Sequence, residues 1–442
     1  MEQTNPVGPV SLSERILFID VLRGMALFGI LAANMRAFFA PIDMYDNVGV
    51  LFHGHADVFV QALINGLIQA KFVTIFSFLF GMGFAIQMSR AEARGARFMG
   101  FYPRRLLALA LFGLIHGILI WGGDILLTYA LAGGILLLFR KRQQKTLLWW
   151  AAGIFSLPIV VSTVFLGIYY SRFRPHWMNP KPPDLNKLHH IIDIYARGTE
   201  RQIFIQNLVE WKQELPTQLF AIYVVALFLL GMWVWRAGIV QRLDEYRPTL
   251  KRVCAWCLPI GLVIGAYVAT VVALVPEGRL SLWLWFARIL WLPGAHVLAA
   301  GYVSGLSLIF LDEHRRRFLL PFAAVGRTAL TNYLMQSIIC TLFFYRYTTG
   351  LYGRVGPAVG LIPTFVIFGA QIWLSNWWLE RYRFGPMEWL WRGMTYGKFP
   401  AMRKDDDPSI AEVPMVTSAP IALSAAAAAE PSAPSVKPNE VA

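Results

Sequence analysis

The sequence contains few charged residues. Only 15% of its 442 residues are Asp, Glu, Lys or Arg, whereas 57% are hydrophobic, and a water-solvated protein needs more charged surface than this. Apolar runs of about 20 residues, long enough to cross roughly 30 Å of hydrocarbon, recur along the chain from Ile16 to Leu379. The sequence therefore predicts an all-α fold, a polytopic transmembrane helix bundle.

Cysteine is also scarce. The three cysteines, Cys254, Cys257 and Cys340, all fall in apolar runs and are too few for a disulfide framework. Cys254 and Cys257 have the spacing of a redox pair, but buried thiols commonly serve as small apolar side chains. We therefore predict apolar packing for all three.

Several motifs that would indicate bound groups are missing. The chain has no Walker loop, no dinucleotide-binding glycine fingerprint and no Gly-x-Ser-x-Gly elbow. His53, His55 and Asp57 alternate as metal ligands can, but no fourth ligand accompanies them. The sequence thus disfavours ATP-driven transport and serine hydrolase chemistry, and it predicts neither a metal site nor a covalently bound cofactor.

Ten spans are predicted, and basic residues orient them. The spans lie at approximately 16–38, 70–89, 105–121, 124–139, 146–170, 216–239, 252–275, 284–311, 319–345 and 359–379. Lys and Arg cluster in the loops that this arrangement places inside, so both chain ends are predicted to be cytoplasmic. The formal net charge of +14 therefore sets topology and does not indicate nucleic acid. The predicted location is the bacterial inner membrane, which the chain crosses many times.

The predicted spans divide the chain into five regions. Residues 1–15 form a cytoplasmic N-terminus, and residues 16–170 form an N-terminal half of five spans. Residues 171–215, which begin with several prolines, predict an extracytoplasmic loop or cap that contains a helix. Residues 216–402 form a C-terminal half of five spans, and residues 403–442, rich in Ala, Ser and Pro, predict a disordered cytoplasmic tail.

The first span carries a polar stripe. Asp20, Arg23 and Asn34 fall within about a 60° arc of a helical wheel, so they must face other helices. Asp20 and Arg23 can form a local ion pair because they are three residues apart. Alternatively, Arg23 holds an anionic ligand near the cytoplasmic side. The sequence leaves both alternatives open.

His116 is the best acid–base candidate in the chain. It lies about 16 Å along the third span from Arg104 and Arg105, and so near mid-membrane, and histidine is the side chain best suited to proton transfer near neutral pH. Asp124 follows two glycines at the predicted outer turn, which leaves open whether the two side chains meet. The structural alternative is a neutral His116 that bonds a backbone carbonyl, with Asp124 as the N-cap of the fourth span.

The ninth span begins with another polar stripe. Arg327 opens it, and Thr328, Asn332 and Gln336 follow at intervals of four residues. Arg327, Asn332 and Gln336, together with Asp20, are candidate substrate-binding residues. Hydrogen bonding to a neighbouring helix is the commoner use of such an uncharged stripe in a membrane.

Several blocks of sequence resemble a known family. The blocks are RILFIDVLRG at 15–24, KFVTIFSFLFG at 71–81, GLIHG at 113–117, GDILLTY at 123–129, GRTALTNYLMQS at 326–337 and RFGPMEWLWR at 383–392. In this order they resemble the YeiB family of bacterial inner-membrane proteins over roughly residues 15–400. That family carries a domain of unknown function, so the resemblance implies the membrane bundle and supplies no reaction.

A more distant resemblance does suggest a reaction. The Asp20-x-x-Arg23-Gly24 opening and Asn34 near the outer end of the first span are similar to transmembrane acyltransferases such as heparan glucosaminide acetyltransferases. These enzymes transfer an acyl group from cytoplasmic acyl-CoA to a hydroxyl or amine on the far side of the membrane. Their catalytic histidine closely follows the asparagine, whereas His53 and His55 lie farther along a longer loop here.

The acyltransferase hypothesis assigns roles to the polar residues. Arg23, Arg104 and Arg105 would bind the phosphates of acyl-CoA, the co-substrate. His116 would act as general base and Asn34 would hydrogen-bond the developing oxyanion, with Asp124 completing the catalytic set.

The alternative hypothesis is a transporter or exporter of a small polar or amphipathic solute. The same intramembrane groups would then bind the solute, and the His116 and Asp124 side chains would relay protons. A third interpretation is a non-catalytic sensor or lipid-binding protein. The predicted partners are membrane lipids and a small-molecule substrate, without nucleic acid, and the sequence leaves the oligomeric state open.

Overall fold

The computed structural model describes residues 17–41, 51–170, 184–219, 222–275 and 281–404. The predicted N-terminal segment 1–15 and nearly all of the predicted tail lie outside these residues. The α-helices in the described residues are α1 Leu17–Phe39, α2 His55–Leu63, α3 Lys71–Ala93, α4 Tyr102–Ile115, α5 Leu126–Leu136, α6 Gln144–Tyr170, α7 Leu185–Arg197, α8 Glu200–Leu219, α9 Ile222–Arg236, α10 Arg247–Leu274, α11 Leu282–Phe310, α12 Glu313–Arg316, α13 Leu320–Arg327, α14 Ala329–Phe344, α15 Pro357–Arg381 and α16 Pro386–Tyr396. The predicted all-α class is confirmed.

The helices have the composition of membrane spans. Seven helical stretches in the described part of the chain are long and apolar enough to cross a bilayer, and they correspond to α1, α2–α3, α4, α6, α10, α11 and α15. Three shorter apolar helices, Leu126–Phe139, Tyr223–Arg236 and Ala329–Phe344, fall within the other three predicted spans. The orientation with both ends inside stays a prediction.

One predicted span is interrupted within the described residues. The span at 319–345 is α13 followed by α14, with Thr328 between them at φ −109° and ψ 35°. The third span also changes its winding. After α4, residues His116–Ile120 form a π-helical turn that ends at the extended Trp121, and such turns often mark functional sites.

Close contact between α1 and α13 brings the two halves of the chain together. A Cβ atom on Gly24 would lie 2.0 Å from the carbonyl oxygen of Phe322, and one on Gly326 would lie 1.8 Å from that of Asp20. Glycine at both positions therefore allows the backbones to touch, as small residues do in membrane interfaces. This contact sets the Asp20 region beside Arg327.

The region predicted as a cap consists of α7 and α8 in its described part. The helical conformation is interrupted at Gly198, between α7 and α8. The single helix predicted in this region is therefore two helices. The Tyr195 hydroxyl donates to Asn207 Oδ1 at 2.8 Å, joining α7 to α8. The Arg346 guanidinium donates to the Gly198 carbonyl at 2.7 Å, which fastens this helical pair to the loop after α14.

Candidate functional site

His116 and Asp124 meet in a buried pair. His116 Nδ1 lies 2.9 Å from Asp124 Oδ1, and neither side chain is exposed at all. The other carboxylate oxygen, Oδ2, accepts the backbone N–H of Leu127 at 2.9 Å. Asp124 thus satisfies an N–H in the first turn of α5 from the position before the N-cap, Ile125, and orients His116 at the same time. The contact that the sequence left open is present.

The helix break at the end of α4 makes this contact possible. The π-helical turn that starts at His116 ends at Trp121, and the following residues reverse the chain into α5. Gly113, one turn before His116, allows the return: a Cβ there would lie 2.8 Å from Asp124 Oδ2 and 2.5 Å from the Leu127 nitrogen. Any larger side chain would displace the carboxylate.

The His116–Asp124 pair leaves one imidazole nitrogen available. His116 Nε2 is buried and has no hydrogen-bond partner among the described residues. The ring lies 5.2 Å from the Tyr333 ring and 6.3 Å from the Trp121 ring, centroid to centroid. A carboxylate accepts from Nδ1–H, which places the lone pair of neutral imidazole on Nε2. This is the arrangement of a general base oriented by an acid.

A cavity of about 260 Å³ is lined in part by Tyr333. Five arginines line it, namely Arg23, Arg90, Arg105, Arg327 and Arg392, against two carboxyl groups, those of Asp20 and Glu388. Tyr102, Tyr129, Tyr333 and Tyr396 add ring surface and hydroxyl groups. We call this space the basic cavity. Its excess of guanidinium groups suits a phosphate-bearing anion.

The sequence candidates for anion binding divide between the cavity and the surface. Arg23 bonds Asp20 at 2.8 Å and both line the basic cavity, so the local pair and the ligand-facing position coexist. Arg105 lines the cavity with its guanidinium 3.5 Å from the centre of the Trp391 ring. Arg104 is exposed and is not among the lining residues. Arg327 lines the cavity, as a substrate-binding role requires.

Glu388 was not found by sequence reasoning. One of its oxygens accepts the backbone N–H groups of Leu330 at 2.6 Å and Thr331 at 3.1 Å, and the other accepts the Thr331 hydroxyl at 2.6 Å. It thereby caps α14 from α16. Burial raises the pKa of the Glu388 carboxyl, while these hydrogen bonds act in the opposite direction. By sequence it is one acidic residue in a basic segment after the last span, a position that gives no sign of burial.

The polar stripe of α14 is used in contacts with α15. Asn332 Nδ2 donates to Ser375 Oγ at 2.9 Å, and Gln336 Nε2 donates to Gln371 Oε1 at 2.8 Å. Gln371 Nε2 in turn donates to the Asn332 carbonyl at 3.0 Å. Neither Asn332 nor Gln336 lines the basic cavity. These contacts favour the interhelical alternative over substrate binding for both residues.

No hydrogen bond among the described residues joins Asn34 to the His116–Asp124 pair. Asn34 is half-buried on α1 and does not line the basic cavity. Its neighbour Arg36, only 1% exposed, is a polar group that sequence reasoning missed, although an arginine within a span was itself the signal. Arg36 Nη1 donates to Asn65 Oδ1 at 2.6 Å, and Lys71 Nζ donates to the Asn65 carbonyl at 2.8 Å.

The described residues contain no group of three or more His, Cys, Asp or Glu side chains that could hold a metal ion. Asp57, one of the three alternating residues, lies in α2 and accepts the backbone N–H of Ala358 at 2.9 Å. It satisfies one of the free donors at the start of α15.

Sequence comparison relates the chain to known proteins over most of its length. A family model described as a protein of unknown function, DUF418, matches residues 234–398. YxaH of Bacillus subtilis (strain 168) is 38% identical over 408 residues, which cover 88% of this chain and 96% of YxaH. YeiB of Escherichia coli (strain K12) is 29% identical over 408 residues, covering 86% of this chain and 96% of YeiB. A 39.9 kDa protein from the amylase 3′ region of Bacillus acidopullulyticus is 27% identical over 408 residues, covering 90% and 99%.

Proposed function

Since this chain belongs to the YeiB-like family of membrane proteins that carry the DUF418 domain, we propose that it transfers an acyl group from acyl-CoA to a hydroxyl or amine acceptor. One observation carries the proposal. Tyr333 lines a cavity together with five arginines, and its ring lies 5.2 Å, centroid to centroid, from the imidazole of the His116–Asp124 pair. Anion binding and a general base are thus one side chain apart.

The basic cavity is the proposed donor site. The phosphates of CoA are multiply charged, and guanidinium groups bind phosphate through paired N–H donors. Arg23 and Arg327 come from the touching helices α1 and α13, and Arg105 comes from α4. The thioester arm then extends toward Tyr333, with the bacterial inner membrane as the proposed setting and the cavity open toward the cytoplasm.

His116 is the proposed base. Its Nε2 takes the proton of the acceptor hydroxyl or amine while the acceptor atom forms a bond to the thioester carbonyl carbon. The tetrahedral intermediate collapses, the carbon–sulfur bond breaks, and the CoA sulfur receives that proton from the imidazolium. Asp124 stabilises the imidazolium that forms between these steps. Tyr333 must move for the thioester to reach Nε2. The predicted oxyanion role of Asn34 has no contact with the pair to support it.

Binding and turnover of acyl-CoA test the proposal. We would measure acetyl-CoA and longer acyl-CoA binding by calorimetry, and acyl transfer in proteoliposomes, for Arg327→Gln and His116→Gln. Arg327→Gln should weaken binding, and His116→Gln should preserve binding and stop transfer. Arg104→Gln is the matched control because Arg104 is exposed and outside the cavity. Absence of acyl-CoA binding, or equal effects of Arg327→Gln and Arg104→Gln, would contradict the donor site.

Transport is the second candidate function. It is favoured by the packing of α8 beside the residues that flank the His116–Asp124 pair. A Cβ on Gly117 would lie 2.8 Å from Trp211 Nε1, and one on Gly122 would lie 3.2 Å from Glu210 Cβ. The pair therefore lies between the basic cavity and α8, where alternate opening would expose it to each side in turn. Solute flux across proteoliposomes without covalent change would support this candidate.

A further inference from the structure

A second cavity, on another face of α1 and α3, has a different chemistry. It has a volume of about 520 Å³, within the range of ligand pockets. It lies between α1, α3, α6, α9, α10 and α11, with Phe18, Ile75, Leu227, Val253 and Leu292 among its lining residues. We call it the apolar groove. We propose that it binds an anionic phospholipid, with one acyl chain along α11 and the phosphate at Arg288.

The shape of the groove follows one stripe of α11. Arg288, Leu292, His296, Ala300 and Ser304 line it at intervals of four residues, so they lie on one face of the helix. The stripe from Arg288 to Ser304 is about 24 Å long at 1.5 Å per residue. This is most of the roughly 30 Å hydrocarbon thickness, and an extended acyl chain fits along such a strip.

Hydroxyl groups are a minority of the groove lining, supplied by Thr74, Ser162, Tyr223, Ser304 and Ser307. Thr74 Oγ1 donates to the Ala70 carbonyl at 2.7 Å. Ser304 Oγ donates to the Ala300 carbonyl at 2.7 Å, and Ser307 Oγ donates to the Val303 carbonyl at 2.7 Å. Both bonds lie within α11 and satisfy the hydroxyl donors internally. Most of the other lining residues are Leu, Ile, Val, Phe and Ala, so the surface of the groove is mainly hydrocarbon, which selects an acyl chain over a soluble anion.

Arg288 supplies the charge that an anionic head group requires. It is exposed and lies six residues, about 9 Å along the helix, from the start of α11. At that depth a guanidinium reaches the head-group region. No carboxylate or carbonyl of the described residues bonds it. A phosphate oxygen pair matches the guanidinium fork.

His296 provides a second polar contact farther into the groove. It lies about 12 Å along α11 from Arg288, and its ring packs against Phe155 with centroids 4.8 Å apart. Its Nε2 is buried and has no hydrogen-bond partner in the described part of the chain. The imidazole therefore adds one polar group beside the acyl chain, while recognition of the head group rests on Arg288.

The experiment uses the full chain, purified in detergent and stripped of bound lipid. It is incubated with phosphatidylglycerol or with phosphatidylcholine of the same acyl chains, and retained lipid is counted by native mass spectrometry. Phosphatidylglycerol should be retained in preference. Arg288→Gln should lower its retention about tenfold, as expected for loss of a charge-assisted contact. Arg354→Gln is the matched control because Arg354 is exposed and lies outside the groove.

Two further measurements separate the sources of binding. Ala300→Phe, which places a ring in the groove, should lower retention of both lipids while elution as a folded particle is unchanged. Excess inorganic phosphate should not displace the lipid, because the acyl chain holds it. Equal retention of the two lipids, equal effects of Arg288→Gln and Arg354→Gln, or displacement by inorganic phosphate would overturn the proposal. Since no step of acyl transfer enters the test, its failure would leave the proposed reaction untouched.

Discussion

The basic cavity and the apolar groove share a wall and differ in chemistry. Asp20 and Arg23 of α1 face the basic cavity, whereas Phe18 and Leu22 face the groove, and Ile19 lines both. A helix of 3.6 residues per turn presents different side chains to its two neighbours. The same pair of helices, α1 and α3, can therefore hold a charged ligand on one side and a lipid chain on the other without mixing the two.

Replacement of His116 should have the largest effect of the variants considered, and it should affect acyl transfer without affecting lipid binding. We expect His116→Gln to lower acyl transfer by about 10²- to 10⁴-fold, because the general base is lost, and to change neither acyl-CoA nor lipid binding. Transfer rates in proteoliposomes and calorimetry on the same preparation measure both. Asp124→Asn should fall between this variant and wild type, because the imidazole keeps a hydrogen-bond partner but loses the charge that stabilises its protonated form. Unchanged transfer in His116→Gln would remove His116 as base.

A larger side chain packed against α1, which lines both cavities, should affect both ligands together. In Gly326→Ala, the new Cβ would meet the Asp20 carbonyl oxygen at 1.8 Å, so α1 must shift, at a cost of about 1–3 kcal/mol. We expect a lower thermal midpoint together with weaker binding of both acyl-CoA and phospholipid. Gly134→Ala is the control, since its Cβ would have no neighbour within 4 Å. Loss of only one ligand would show that the two cavities do not depend on the same wall.

The charge of the basic cavity should depend on pH through Glu388. Burial raises the pKa of this carboxyl, so it takes up a proton as pH falls through that raised value, while the arginines stay charged. Protonation removes one negative charge from the cavity, and we expect acyl-CoA to bind about threefold more tightly at the lower pH. The same titration means that the folded protein gains stability as pH falls through this window and loses it as pH rises.

Calorimetry at two pH values with Glu388→Gln tests this dependence. The variant should bind tightly at both values, whereas His116→Gln should keep the wild-type dependence and so exclude histidine as its source. The described lining residues of the groove include no Asp or Glu. Lipid retention at Arg288 should therefore vary little over the same pH range. A pH dependence that persists in Glu388→Gln would assign it to another group.

The sequence predicted part of the basic cavity and none of the groove. Asp20, Arg23 and Arg327 were found because charged side chains inside apolar runs are conspicuous. Arg90 and Arg392 belong to clusters of basic residues at the ends of apolar runs, which indicate topology. Only the fold shows that their side chains line the cavity. The apolar groove is built from residues that are identical in type to those that face lipid, so no pattern distinguishes it.

The same limits apply to the fold. Ten apolar runs predicted the helices because hydrophobic length is a strong signal. The proline of the run 319–345, Pro321, lies at the start of α13 and so does not mark the break at Thr328. The π-helical turn at His116 depends on tertiary contacts. For this reason the sequence left open whether His116 and Asp124 meet, although both residues were selected from it.

The smallest expected effect distinguishes two adjacent arginines of equal charge. Arg105 stacks on Trp391 at 3.5 Å, and the Trp391 indole N–H donates to the Arg105 carbonyl at 2.8 Å, so α16 is held against α4 beside the cavity. Arg105→Lys keeps the charge but loses the planar stacking and the paired donors, and we expect acyl-CoA binding to weaken about two- to fivefold. Arg104→Lys should change binding by less than the error of calorimetry, because that side chain is exposed. Equal acyl-CoA binding by the two variants would mean that the cavity attracts its ligand by overall charge alone. The basic cavity and the apolar groove would then differ only in that one is charged and the other is hydrocarbon, and the geometry of the arginines would have no role.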